Sequence, residues 1–205
     1  LTHIRHSEKM FSMKRLLLVF ILTFSFQTLT KADDIKDFQI EGISIGDSLL
    51  DHFSEKKIQK SLISDYPNSD KYKRVQILNH KSFKTYDAMH LLFLKNDKKK
   101  IIHSLNGMKN YVNKTNACLE KKNIILKEIS KLFQNVEIGD SIKTKHNSDK
   151  SGKSYTYDVK IKLLNGDRVH ISCYDWSSKM KFRDHLRIGI HNKKFMNWLD
   201  NDAYK

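Results

Sequence analysis

The sequence predicts an α+β domain: an antiparallel sheet of about six strands with helices packed mainly on one face. Three observations carry this expectation. Segments 158–163 and 168–174 alternate apolar and polar residues, as a strand does when one face is buried and the other is wet. Segment 116–134 instead brings its apolar residues round every three to four positions, the period of a helix lying on a core. The remaining strand patterns follow one another in hairpin succession, with few helices between them.

The chain divides into residues 1–12, 13–32 and 33–205. Lys14 and Arg15 precede an apolar run at 16–26, and a polar stretch ending in Thr30, Lys31 and Ala32 follows. Basic, apolar and small-residue regions in that order predict a secretory signal peptide at 13–32, cleaved after Ala32 for export to a periplasm. The run is about half the ~20 residues of a membrane-crossing helix, and no later run approaches that length, so no integral membrane protein is expected after cleavage. Residues 1–12 fit no part of this scheme and read as an upstream extension. The single domain then occupies 33–205.

Within that domain, Phe38, Ile40, Ile43 and Ile45 suggest a first strand or extended arm over 37–45. From Ser48 the pattern turns helical through Leu49, Phe53, Ile58 and Leu62, with Ser54 as a break into two short helices. The one proline, Pro67, ends that region. Three strands are expected at 74–78, 86–94 and 101–108, the last two joined by the polar turn 95–100. The longest helix, 116–134, carries Cys118, Ile125, Ile129, Leu132 and Phe133 on its apolar stripe. The strands near 159–163 and 169–174 follow, then one at 186–190, and a closing helix with Phe195, Trp198 and Leu199.

The hairpin at Asn165-Gly166 permits a sharper deduction. A two-residue loop would set Leu163 opposite Arg168, an apolar side chain against a polar one. A three-residue loop, Leu164-Asn165-Gly166 with Gly166 left-handed, sets Ile161 opposite Val169 and Val159 opposite Ile171. The three-residue loop is therefore expected, and it turns Cys173 toward the core, as Cys118 is. A helix-to-sheet disulfide between the two is sterically reasonable, with two buried free thiols as the alternative.

The formal net charge is +15, and loss of residues 1–32 removes five basic side chains and one acidic one, leaving +11. In an exported protein this charge points to anionic lipid, an acidic glycan or an acidic envelope protein, and no nucleic acid is expected. A plain solubilising lysine coat accounts for the charge equally simply. The eight histidines beyond residue 32 include no His-Glu-x-x-His, and no Cys-x-x-Cys accompanies them, so neither metal nor cofactor is expected.

Two groupings could carry function. If the strand at 186–190 lies beside 168–175, one sheet face collects Arg168, His170, Ser172, Tyr174, His185, Arg187 and His191. That face either binds an anion, gaining charge as its histidines protonate below pH ~6.5, or is the solvated side of the sheet. The other grouping is Gly46-Asp47-Ser48-Leu49, which resembles the motif of the GDSL serine esterases. The resemblance implies Ser48 as nucleophile with an Asp-x-x-His pair, of which 87–90 and 167–170 are the two instances. Against it, Ile138-Gly139-Asp140-Ser141 repeats Ile45-Gly46-Asp47-Ser48, and a pair of structural turns explains both copies. The mature chain as a whole, from Asp37-Phe38-Gln39-Ile40 to Asn197-Trp198-Leu199, resembles small exported proteins of AT-rich marine alphaproteobacteria. That resemblance implies no activity. A non-enzymatic, envelope-associated binding domain is the expectation, with the Ser48 esterase as alternative.

Overall fold

Alternation in the sequence turns directly into strands in the computed structural model, which describes residues 34–205 apart from 64, 65, 67, 68 and 134. The signal peptide, its cleavage site and Pro67 lie outside the described residues. After a 3-10 turn at Ile35–Asp37, a small hairpin of β1 (Gln39–Ile40) and β2 (Ile43–Ser44) reverses at Glu41 and Gly42, both at positive φ. The expected single arm at 37–45 is thus folded back on itself.

Short helices α1 (Leu49–His52) and α2 (Glu55–Lys60) follow, separated at Ser54, whose hydroxyl accepts the Lys57 amide. Then come β3 (Leu62–Ile63), β4 (Tyr72–Leu78), β5 (Ala88–Leu94), β6 (Ile102–Asn110) and α3 (Thr115–Leu132). The chain continues through β7 (Glu137–Ile138), β8 (Ile142–Lys145), β9 (Tyr155–Lys162), β10 (Arg168–Asp175), β11 (His185–His191) and α4 (Lys193–Asn201).

β3 to β11 form one nine-stranded antiparallel sheet in the order β3-β4-β5-β6-β11-β10-β9-β7, with β8 also paired to β9. The six expected strands are β4, β5, β6, β9, β10 and β11. The sheet is larger than expected because β3, β7 and β8, two to four residues each, line its edges. Strands this short show no alternation of their own and form where an edge offers unpaired backbone groups.

One face of the sheet buries Val75, Ile77, Leu91, Leu105, Ile161, Val169, Ile171 and Ile188 beneath α1, α2 and α3. Each such side chain contributes roughly 1.5–3 kcal/mol through its removal from water. The hairpin has the deduced register, Ile161 opposite Val169 and Val159 opposite Ile171, with Gly166 at φ 90°. Cys173 accordingly faces α3 and is bonded to Cys118, their Cα atoms 6.0 Å apart.

The α3 stripe differs from expectation at two positions. Leu132 is 37% exposed, whereas Lys122, in phase with Cys118, Ile125 and Ile129, is 2% exposed. Its ammonium donates to Ser141 Oγ at 2.5 Å, and burial lowers its pKa, partly offset by Asp158.

The expectation is of helices mainly on one face, and α4 is the exception. α4 lies on the opposite face, where Phe195, Met196 and Trp198 pack with Tyr72, Leu92 and Ala203. Tyr72 and Leu92 break the polar parity of that face at the β4–β5 end and give the amphipathic helix an apolar landing. Arg168 and Asp200, 2.9 Å apart, tie the helix to β10.

The two Ile-Gly-Asp-Ser copies do different work. In the first, Gly46 sits at φ 94°, the Asp47 carboxylate accepts the Ser44 amide, and Ser48 caps α1. In the second, the chain steps from β7 to β8, both of which pair with the same side of β9. Only the first is a strand-to-helix hinge.

Candidate functional site

The site is built on the face that carries α4. Strand pairing places its side chains in rows across five strands, because residues opposite each other in an antiparallel ladder share a face. One row runs Gln76, His90, Asn106, Gly189, His170; the next runs Leu78, Ala88, Met108, Arg187, Ser172. Ala88 is small and lines a depression on this face, whereas the space over Gly189 is filled by its neighbours. A Cβ on Gly189 would stand 2.5 Å from His191 Nε2 and 2.6 Å from Asn106 Oδ1, so both side chains occupy the space a larger residue would need.

Two cavities open on this face. The inner one, about 170 Å³, is lined by Arg74, His90, Asn106, His170, Tyr174 and Arg187, with α4 closing one side through Phe195 and Leu199. The outer one, about 580 Å³, extends toward the loops that carry His146, Trp176, Phe182 and Arg183. Arg74, His90, Tyr174 and Arg187 line both and form the neck between them. Among the described residues, neither lining includes an aspartate or glutamate.

Among the described residues, Arg187 is held in place without a carboxylate. Its guanidinium lies 4.6 Å from the Tyr174 ring centroid, and Nη1 donates to the Tyr174 hydroxyl at 3.2 Å. Its Nε is buried with no hydrogen-bond partner among the described residues. The Tyr174 ring is fixed in turn between His185, stacked at 4.5 Å, and Trp176, stacked at 5.7 Å. Arg74 stands beside the Tyr66 ring, 5.8 Å from its centroid.

The histidines are neutral here. Burial, reinforced by Arg187 and Arg74, lowers His90 to about 3, and burial with nearby Lys160 and Arg168 lowers His170 to about 4. Burial also lowers His185 to about 4, against the stabilising Arg183 carbonyl, and His191, bonded through Nδ1 to Ser104 Oγ, is pushed well below its ordinary value. The gain of charge expected below pH ~6.5 is therefore displaced in the folded protein to about pH 4 and lower. The charge of the site is carried by its arginines.

Of the residues anticipated on this face, the structure gathers His170, Tyr174, Arg187, His191 and Ser172 at the inner cavity and His185 at the outer. Arg168 lines neither, being engaged with Asp200. The sequence reading missed Arg74, His90 and Asn106, which arrive from β4, β5 and β6. Arg74 and Gln76 do alternate with Val75 and Ile77, a signal of this face. His90 is hidden inside an apolar strand, and nothing in the chain announces that β11 sits between β6 and β10.

No protein-family model matches the chain, and no curated protein does.

Among the described residues no three His, Cys, Asp or Glu side chains group as metal ligands, and no helix is long and apolar enough to cross a membrane. Ser48 Oγ donates to the Lys99 carbonyl oxygen at 2.7 Å and accepts the Leu50 amide at 3.2 Å, the hydrogen bonds of a helix cap. His52 bonds Asp47 Oδ2 at 3.1 Å. In the two Asp-x-x-His segments, Asp87 bonds Lys109 and the Asn110 amide, and Asp167 accepts the Lys193 amide. A spacing of three along a strand also points the two side chains to opposite faces.

Proposed function

We propose that this chain is an exported, non-enzymatic binding domain that takes an anionic ligand at the neck between the two cavities. The observation that carries this reading is Arg187 at the neck, its Nε buried without a hydrogen-bond partner among the described residues and its guanidinium held against the Tyr174 ring and hydroxyl. A guanidinium removed from water and left without an anion is costly, and an incoming carboxylate or phosphate accepts its N–H groups in a charge-assisted, planar geometry. Preorganisation by Tyr174 lowers the cost of ordering the guanidinium on binding. Export rests on the basic-apolar-small order of residues 13–32, and the Cys118–Cys173 bridge suits an oxidising compartment.

The test is calorimetric titration with inorganic phosphate and acetate against wild type and Arg187→Gln. Binding that weakens at least tenfold in the variant and falls with added salt is expected. Binding indifferent to Arg187→Gln refutes the site. Esterase chemistry at Ser48, the other expectation from the sequence, predicts turnover of short acyl esters that Ser48→Ala abolishes. The capping bonds of its hydroxyl favour no turnover in either protein.

A further inference from the structure

We infer that the ligand is an acidic sugar, a uronate or sugar phosphate, whose acid group sits at the neck and whose hydroxylated ring lies in the outer cavity beside Trp176. This rests on the anion-binding reading above and adds to it the identity of the ring. The inner cavity, about 170 Å³, accommodates little beyond the acid group, while the outer, about 580 Å³, accommodates a sugar ring with room for attached groups. A ligand touching both must therefore have an anionic end and a larger body.

The lining of the outer cavity says what the body is. Trp176 and Phe182 meet edge to face at 4.9 Å, with Phe182 60% exposed, so an apolar ring surface stands at the mouth. Around it are polar groups with unmet hydrogen-bonding capacity. Trp176 Nε1 is a buried donor without a partner among the described residues, and Nε2 of His185 is likewise buried and unpartnered. His185 donates from Nδ1 to the Arg183 carbonyl oxygen at 2.8 Å, which leaves Nε2 of the neutral ring as an acceptor. An acceptor lone pair repels an anion and takes a hydroxyl. A purely aromatic body would cover the indole face but leave both nitrogens unsatisfied, at a cost that disfavours it. A sugar ring offers apolar C–H faces to the indole and hydroxyls to the two nitrogens. Asn110 and Ser148 also line this cavity.

Glucuronate, glucose, benzoate and inorganic phosphate are titrated calorimetrically into the full chain and into Trp176→Ala, His185→Phe and Arg187→Gln, with circular dichroism confirming each fold. Glucuronate is expected to bind at least tenfold more tightly than phosphate or benzoate, and glucose not at all. Trp176→Ala and His185→Phe are each expected to weaken glucuronate binding at least tenfold more than phosphate binding, which falls only as far as these rings also steady Tyr174; equal weakening of both ligands overturns the sugar inference. Arg187→Gln abolishes binding of both ligands. Equal, Arg187-dependent affinity for phosphate, benzoate and glucuronate overturns the sugar inference and leaves the anion site standing. Absence of any Arg187-dependent binding overturns both.

Discussion

Removing the Cys118–Cys173 bridge is expected to lower stability by about 4 kcal/mol. The bridge closes a loop spanning 55 residues, and restricting the unfolded chain by a loop of that length is worth ~4 kcal/mol in the chain-entropy account. Both sulfurs are buried, Cys118 at 2% and Cys173 at 1% exposure, so the bridge also fastens the first turns of α3 to the centre of β10. The helix keeps its other anchors, Ile125, Ile129 and Phe133, and the reduced protein is expected to remain folded. Against a typical domain stability of roughly 5–15 kcal/mol, the loss is large but survivable. The assay is urea unfolding of wild type with and without dithiothreitol, followed by far-ultraviolet circular dichroism, after thiol titration of the unfolded oxidised protein has shown no free thiols. With a denaturant dependence of about 2 kcal/mol per molar urea, the midpoint should fall by about 2 M on reduction. Comparing oxidised and reduced forms of one sequence avoids the packing defects that alanine variants introduce. Midpoints that agree within about 0.3 M, or two free thiols in the oxidised protein, would refute the reasoning.

Three further outcomes are expected. Stability should decline as pH falls from 6.5 toward 4: His170 and His185 titrate at about 4 and His90 at about 3 when folded, so the unfolded chain takes up protons first. Allowing for partial exposure, about 1 kcal/mol per histidine should be lost by pH 5; a flat urea midpoint between pH 7.5 and 5 would contradict the burial of these rings. Lys122→Met should leave stability unchanged or raise it by about 1 kcal/mol, because the buried ammonium has a single hydroxyl partner and a desolvation cost; a loss above about 2 kcal/mol in thermal unfolding would show that the Ser141 contact outweighs that cost. Gly189→Ala should destabilise by about 1–3 kcal/mol, since the added methyl displaces His191 and Asn106, and should weaken phosphate binding as the inner cavity distorts. Unaltered binding in a folded Gly189→Ala protein would remove the inner cavity from the site.

Local chemistry explains why parts of this fold are legible in the chain. The register of β9 against β10 follows from alternation plus one glycine able to take positive φ, because a slip of one residue would turn every apolar side chain outward. The same parity turns Cys173 inward, and the 3.6-residue stripe of α3 does so for Cys118, so the bridging geometry follows from two local periods. The break between α1 and α2 follows from Ser54, whose hydroxyl caps a helix more readily than it extends one. What misled was the reading of single residues by type: Lys122 is charged yet buried, because its position in the helical period leaves no other place for it.

By itself, then, the sequence determined which residues share a face, since that depends only on the period of each element. It placed His170, Tyr174, His185, Arg187 and His191 on one side of two strands without knowing what lay beyond them. Tertiary structure alone decided that β11 lies between β6 and β10, which brings Arg74, His90 and Asn106 across from that half-site. It also decided that α4 lies over this face, and that Arg168 is spent on Asp200. These are properties of strand order and helix docking, set by the summed burial of the whole chain, and no local pattern encodes them. For the same reason the histidines, expected from their type to be ionisable near neutrality, became neutral members of a polar cavity whose charge resides on its arginines.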